Sequence, residues 1–237
     1  MLGDDLAGCD DPADARHRRS IRSVNAIAAR VMSALAGQLG HPHGLLGKVV
    51  AVVLNRANRR DAIAAVEAAS ITPGETVADI GFGGGAGLGL LLGRAGSTGV
   101  VYGIDISTDM VTRARSRFHR EIDSSRLRLL EGSLNDLPLD DSSLDAIITV
   151  NTIYFIADLD EAFAELARVL RPAGRAVICL GDPAAMAELP FTPYGFRLRP
   201  VAEVIAELER AGLSVNHREV PVGLVAGHLL IASHPPR

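Results

Sequence analysis

The 237 residues, 48% of them hydrophobic and 22% charged, suffice to bury a full core as one domain with a helical appendage, which excludes a chain disordered beyond its ends. The formal net charge of -4 argues against a general nucleic-acid binder. Two cysteines, Cys9 in a polar tail and Cys179 inside an apolar run, form no disulfide framework and suit a reducing, cytoplasmic setting.

In chain order, residues 1–15, MLGDDLAGCDDPADA, are acidic and lack periodicity, which predicts a disordered tail rather than a signal peptide. Ile21, Val24, Ala28, Val31 and Leu35 then recur at helical spacing until GHPHG breaks the helix. A second helical region runs from Leu46 to Ala69, with a break expected near Asn55 to Asn58. Its longest aliphatic run, Val49 to Leu54, falls far short of the ~20 residues that span a bilayer. Residues 16–70 therefore read as an N-terminal helical cap ahead of an α/β domain over residues 71–237.

From residue 75 short apolar runs alternate with helical patterns. Strands are predicted at Thr76 to Ile80, Val100 to Ile104, Leu127 to Leu130, Leu144 to Val150, Ala176 to Leu180, Leu213 to Val220 and His228 to Ala232. Helices are predicted at Ala86 to Arg94, Thr108 to Ile122, Asp160 to Leu170 and Val201 to Ala211, the last ended by Gly212. The alternation implies a doubly wound parallel sheet, while the last two strands, joined without a helix, should pair as an antiparallel hairpin. Arg113, Arg115, Arg117 and Arg120 scatter around their helix and read as a solvated face.

The stretch VADIGFGGGAG, residues 77–87, lies where the first strand turns into a helix. Gly81, Gly83 and Gly85 permit positive φ and close backbone approach, Asp79 adds charge at the strand end, and Asp105 in YGIDIS ends the next strand where it can accept from two ribose hydroxyls. Residues 81–86 also satisfy the relaxed dinucleotide pattern G-x-G-x-x-A, so the loop alone leaves NAD and other nucleoside ligands open.

As a set, VADIGFGGG, VYGIDISTDMVTRAR, LRLLEGSLNDLPLDDSSLDAIITVNTIYFIADLDEAFAELARVLRPAGRAVI and YGFRLRPVAEVIAELERAGL resemble the successive motifs of the class I S-adenosylmethionine-dependent methyltransferases, from about residue 72 to the C-terminus. The resemblance implies a Rossmann-like seven-stranded sheet of order 3-2-1-4-5-7-6 with strand 7 antiparallel, and S-adenosylmethionine as cofactor. It implies that Gly81, Phe82, Gly83 and Gly85 line the methionine and ribose part, with Asp79 near the amino group and Asp105 on the ribose hydroxyls. Ile106 and Met110 then belong to the adenine side, Met110 serving equally as a core anchor. Many members carry Asp where this chain has Ser133, which leaves a hydroxyl, and the Leu134 amide, for the adenine edge. Asp136 could stand in for that carboxylate, or simply form a turn before Pro138.

Asn151 and Thr152, after the fourth strand, complete the implied cofactor site, and Tyr154 is a candidate for positioning the methyl acceptor. Asn151 and Tyr154 share the spacing of the Asn-Pro-Pro-Tyr motif of some amino-methyltransferases, but Thr152 and Ile153 replace both prolines, which favours a small-molecule acceptor over a nucleobase. Transfer from a sulfonium can rest on alignment, so no catalytic base is assigned, although His41, His43 and Asp182 are candidates. Substrate choice should fall to the N-terminal helices and to Gly181–Arg199, where Met186, Phe191, Tyr194 and Phe196 suit a lid over an apolar ligand. The reading is a methyltransferase acting at O, N or C of a small hydrophobic acceptor, with no metal and no membrane. The competing readings are a nucleic-acid or protein methyltransferase of the same fold, an NAD-dependent oxidoreductase, disfavoured by the lack of a Tyr-x-x-x-Lys pair, and a binding module without turnover. Oligomeric state is left open.

Overall fold

The computed structural model describes residues 58–189, 192–193, 195–221 and 225–236. The expected tail, the expected helices up to residue 57, His41, His43, Phe191 and Tyr194 lie outside the described residues.

Helix α1 (Arg59–Ala69) follows Asn58 and ends where Ser70 turns left-handed at φ 48°. It is the described part of the expected helical cap, and Ala65, Val66 and Ala69 are buried against the sheet. Then come β1 (Thr76–Ile80), α2 (Ala86–Ala95), β2 (Val100–Asp105), α3 (Thr108–Arg117), α4 (His119–Asp123), β3 (Leu127–Glu131) and β4 (Leu144–Val150). A 3-10 turn at Ile153–Phe155 leads to α5 (Leu159–Val169), β5 (Leu170–Gly181), α6 (Pro183–Ala187), α7 (Val201–Arg210), β6 (Ser214–Val220) and β7 (Gly227–Ser233). The sheet has seven strands in the order β3-β2-β1-β4-β5-β7-β6. β1 pairs parallel with β2 and β4, and β7 runs antiparallel to both β5 and β6, as the missing crossover helix requires.

Strand alternation divides the core between the two faces. Ile147 and Ile178 join Phe163, Leu166, Val204 and Leu208 under α5 and α7, while their neighbours Ile148 and Val177 join Val66, Leu88, Leu91 and Met110 under α1, α2 and α3. Phe163 is fully buried, and truncating such a ring to alanine typically costs about 3–5 kcal/mol.

Three elements depart from the sequence expectation. The helix expected over Thr108–Ile122 is split at Phe118, whose backbone leaves helical geometry while its ring packs beneath the glycine loop, 3.3 Å from where a Cβ on Gly85 would stand. β5 starts at Leu170 instead of Ala176 because Leu170 pairs with Leu144, with a register irregularity before Arg175 pairs with Ala146. The short α6 arises because Asp182 caps it, accepting from the Ala185 amide at 2.9 Å, with Pro183 in its first turn. Among the described residues no helix is long and apolar enough to cross a membrane.

Candidate active site

β1, β2 and β4 point the same way, and the order reverses between β1 and β4, so their carboxyl ends frame a crevice. The glycine loop forms its floor. Gly81, Gly83 and Gly85 all have positive φ, at 72°, 50° and 75°. A Cβ on Gly81 would stand 2.4 Å from Thr152 Oγ1, whereas one on Gly83 would meet nothing nearer than the Gly81 carbonyl at 4.0 Å. Protein packing therefore forces glycine at Gly81, while the space beside Gly83 is left open for something else.

The loop is held from the β2 side. Gly83 N–H donates to Asp105 Oδ2 at 2.8 Å and Ser107 N–H to Oδ1 at 2.9 Å, so backbone amides pin both oxygens of this buried carboxylate. The Arg117 guanidinium donates to the Gly84 carbonyl at 3.2 Å and lies over the Phe118 ring. Asp79 is buried beneath α2, where a Cβ on Gly87 would approach its Oδ2 to 2.2 Å, so Gly87 makes its room. Burial, and then the charge of Asp105, push its pKa up to about 8.

The β4 side is a second network. Asn151 is left-handed at φ 55°, its amide donates to the Cys179 carbonyl at 2.9 Å, and its Nδ2 donates to Asp61 Oδ2 at 2.9 Å and Asn58 Oδ1 at 3.3 Å. Tyr154 is 3% exposed, and its hydroxyl accepts from Gly181 N–H at 2.6 Å and donates over a long 3.4 Å to Asn151 Oδ1. Burial drives the phenol's pKa well above its usual range. Thr152 donates to the Val150 carbonyl at 3.2 Å. On the far side Ile106 is half-exposed, while Met110 and Leu134 are buried in the core. The Ser133 hydroxyl accepts from Asn135 N–H at 3.3 Å.

A family profile described as a methyltransferase domain matches residues 78–178, the span from β1 to β5 that holds this crevice. Residues 78–178 are thus similar to a methyltransferase domain. The chain is 37% identical over 145 residues to a demethylmenaquinone methyltransferase of Tropheryma whipplei, covering 61% of this chain and 57% of that one. It is 33% identical over 106 residues to a 2-phytyl-1,4-naphtoquinone methyltransferase of Trichormus variabilis, 45% of this chain and 46% of that. The chain thus spans about half the length of these curated relatives. A SAM-dependent methyltransferase structure from Aquifex aeolicus superposes with a TM-score of 0.64 at 24% identity, over 84% of this chain and 97% of that one, which shows the shared fold. S-adenosylmethionine is the cofactor that these similarities support, and the crevice has features that suit it: an open backbone face at Gly83, a pinned carboxylate at Asp105 and an exposed apolar side chain at Ile106.

Of the remaining methyltransferase candidates, Asp182 caps α6, and its Oδ2 lies 3.3 Å from His228 Nε2, whose Nδ1 lies 2.9 Å from His217 Nε2. The backbone and side-chain hydrogen bonds together hold its carboxyl below the usual range. Met186 and Phe196 pack inward, the Phe196 ring 4.9 Å from Phe155 and 5.6 Å from Tyr154, so packing accounts for both. Sequence reasoning missed Gly87, which looks like an ordinary helix glycine, and Asp61, which looks like a favourable acid in a helix's first turn. Only the fold reveals what each one touches.

Proposed function

We propose that the protein moves the methyl group of S-adenosylmethionine to O, N or C of a small hydrophobic acceptor. The observation that carries this reading is the glycine loop at the sheet's switch point, open at Gly83 and tied to the Asp105 carboxylate. Gly81, Phe82, Gly83 and Gly85 would hold the cofactor's methionine and ribose through their backbone, with Asp79 by the ammonium. Asp105 would take the ribose hydroxyls, Ile106 and Met110 the adenine face, and Ser133 and Leu134 its edge. Asn151 and Thr152 would close the methionine end.

When bound, the cofactor supplies a methyl group on a positively charged sulfur, already activated for in-line displacement. The protein's task is then alignment and exclusion of water, which can account for ~7–11 kcal/mol of a barrier when geometry is well set. The rigid contacts at Gly83, Asn151 and Tyr154 serve that task, with Tyr154 as a positioning residue: its hydroxyl is engaged by Gly181 and its pKa is raised, which opposes a role as base. Support for a hydrophobic acceptor comes from the two quinone-named relatives. We further place substrate choice in the segment before Asn58 and in Gly181–Arg199.

Calorimetry with S-adenosylhomocysteine and NAD, followed by incubation of the protein with methyl-labelled cofactor and a metabolite extract, tests the reading. Binding of S-adenosylhomocysteine and label in an organic-soluble product are expected. Tighter binding of NAD would overturn it.

A further inference from the structure

Asp61 is a buried carboxylate that the cofactor-binding residues leave unexplained. It is 7% exposed; Oδ2 accepts from the Asn151 amide at 2.9 Å, whereas Oδ1 is buried and has no hydrogen-bond partner among the described residues. An unsatisfied buried acceptor costs about 1–3 kcal/mol, more when charged, so such a group calls for a reason. Its place in the first turn of α1 accounts for the sign of its charge but leaves Oδ1 unmatched. Its partner Asn151 follows β4, and the next residue, Thr152, packs on Gly81. Asp61 thus stands on the β4 side of the glycine loop, across from the Asp105 side. It belongs to the same network as Tyr154.

We propose that Asp61 Oδ1 is the acceptor-side base, receiving the hydrogen bond of the acceptor's reacting O–H or N–H; this rests on the methyltransferase reading above. As the acceptor's lone pair bonds to the methyl carbon, the carbon–sulfur pair returns to sulfur and the acceptor's proton passes to Oδ1. Charge balances, since one sulfonium and one carboxylate are both neutralised. Asn151 holds the other oxygen and fixes the carboxylate's rotation, which makes it a positioning residue. Burial raises the Asp61 pKa, and a stronger base nearer neutrality is the better proton acceptor. The inference narrows the acceptor to hydroxyl, phenol or amine compounds rather than carbon centres without a donor.

The alternative donor for Oδ1 is the cofactor's own ammonium, and sinefungin separates the two. That analogue carries an amine where the transferable methyl would be, while S-adenosylhomocysteine shares every other polar group with it. Calorimetry on the full chain should show wild type preferring sinefungin by about tenfold or more, as a charge-assisted contact implies. Asp61→Asn and the smaller Asp61→Ser should each bring the preference to within about threefold, with S-adenosylhomocysteine itself bound within about threefold of wild type. A preference that survives in a folded variant overturns the proposal. So does equal weakening of both analogues, which would assign Asp61 to the shared ammonium or to the fold, and so does a wild type that binds both equally. Wild type binding neither analogue would overturn the methyltransferase reading as well.

Discussion

Replacing Tyr154 by phenylalanine removes one oxygen from a buried ring and leaves its packing in place. The lost group accepts from Gly181 N–H at 2.6 Å, and with Tyr154 3% exposed no solvent stands ready to replace it. Leaving this part-buried backbone donor unmatched costs about 1–3 kcal/mol. The donation to Asn151 Oδ1, at 3.4 Å, is long and adds little, and Asn151 keeps its bonds to Asp61, Asn58 and Cys179. Unfolding stability should therefore fall by about 2 kcal/mol, or ~4–8 °C in Tm for a domain of this size. Scanning fluorimetry reads the shift, and calorimetry should find S-adenosylhomocysteine bound within about threefold of wild type, since the cofactor loop is untouched. Turnover should drop less than about tenfold, the scale of imperfect alignment rather than of a missing acid or base. An unchanged Tm would refute the account of the Gly181 contact, and a turnover loss of about a hundredfold at unchanged Tm would move Tyr154 into the chemistry.

Asp105→Ala should weaken S-adenosylhomocysteine by at least about a hundredfold in calorimetry, because two charge-assisted bonds of ~1.5–3 kcal/mol each are lost and the Gly83 amide loses its anchor. Gly87→Ala should destabilise despite alanine's helix preference, since its Cβ would stand 2.2 Å from Asp79 Oδ2, whereas Gly93→Ala, with nothing within 4 Å, should gain about 0.5–1 kcal/mol in denaturant melts. Asp79, with its pKa raised from 3.8 to about 8, holds a proton in the folded state that the unfolded chain gives up, so stability of the ligand-free protein should fall as pH rises between those values and level off above them. Asp79→Asn should flatten that slope in Tm measured against pH.

The parallel alternation and the closing antiparallel hairpin were legible from seven apolar runs and the helix missing between the last two, whereas the strand order came only with the family resemblance. Gly212 at φ 85° ends α7 as its position implied. The split at Phe118 was not legible: the sequence there is helical, and what bends it is a ring drawn under Gly85, a contact from another element. The same contrast divides the site. Gly81, Gly83, Gly85 and Asp105 stand out locally because backbone geometry and strand-end charge are written in adjacent residues. The partnership of Asp61 with Asn151 spans a separation of 90 residues, and each partner alone has an ordinary explanation, as first-turn acid and as post-strand turn residue.

Asp61 and Asp79 also explain each other. Asp61 on α1 and Asp79 on β1 are both buried, and burial is the leading cause raising both pKa values. The described ion pairs, such as Arg175 with Glu75 and Arg168 with Glu165, lie elsewhere, so neither acid is offset by a neighbouring cation in those pairs. Apolar residues at both positions would stabilise the ligand-free fold better, since buried charge without a partner opposes folding. What such an arrangement favours is a ligand that brings its own positive charge, and the cofactor brings two, on ammonium and sulfur. In the proposed reaction transfer neutralises the sulfonium, and once the proton taken by Asp61 has returned to solvent the pocket holds a ligand with one cation fewer beside the same carboxylates. If the cofactor binds here as proposed, electrostatics alone bias the site toward the methylated cofactor over its demethylated product, with the bias growing as pH rises through the Asp79 titration near about 8.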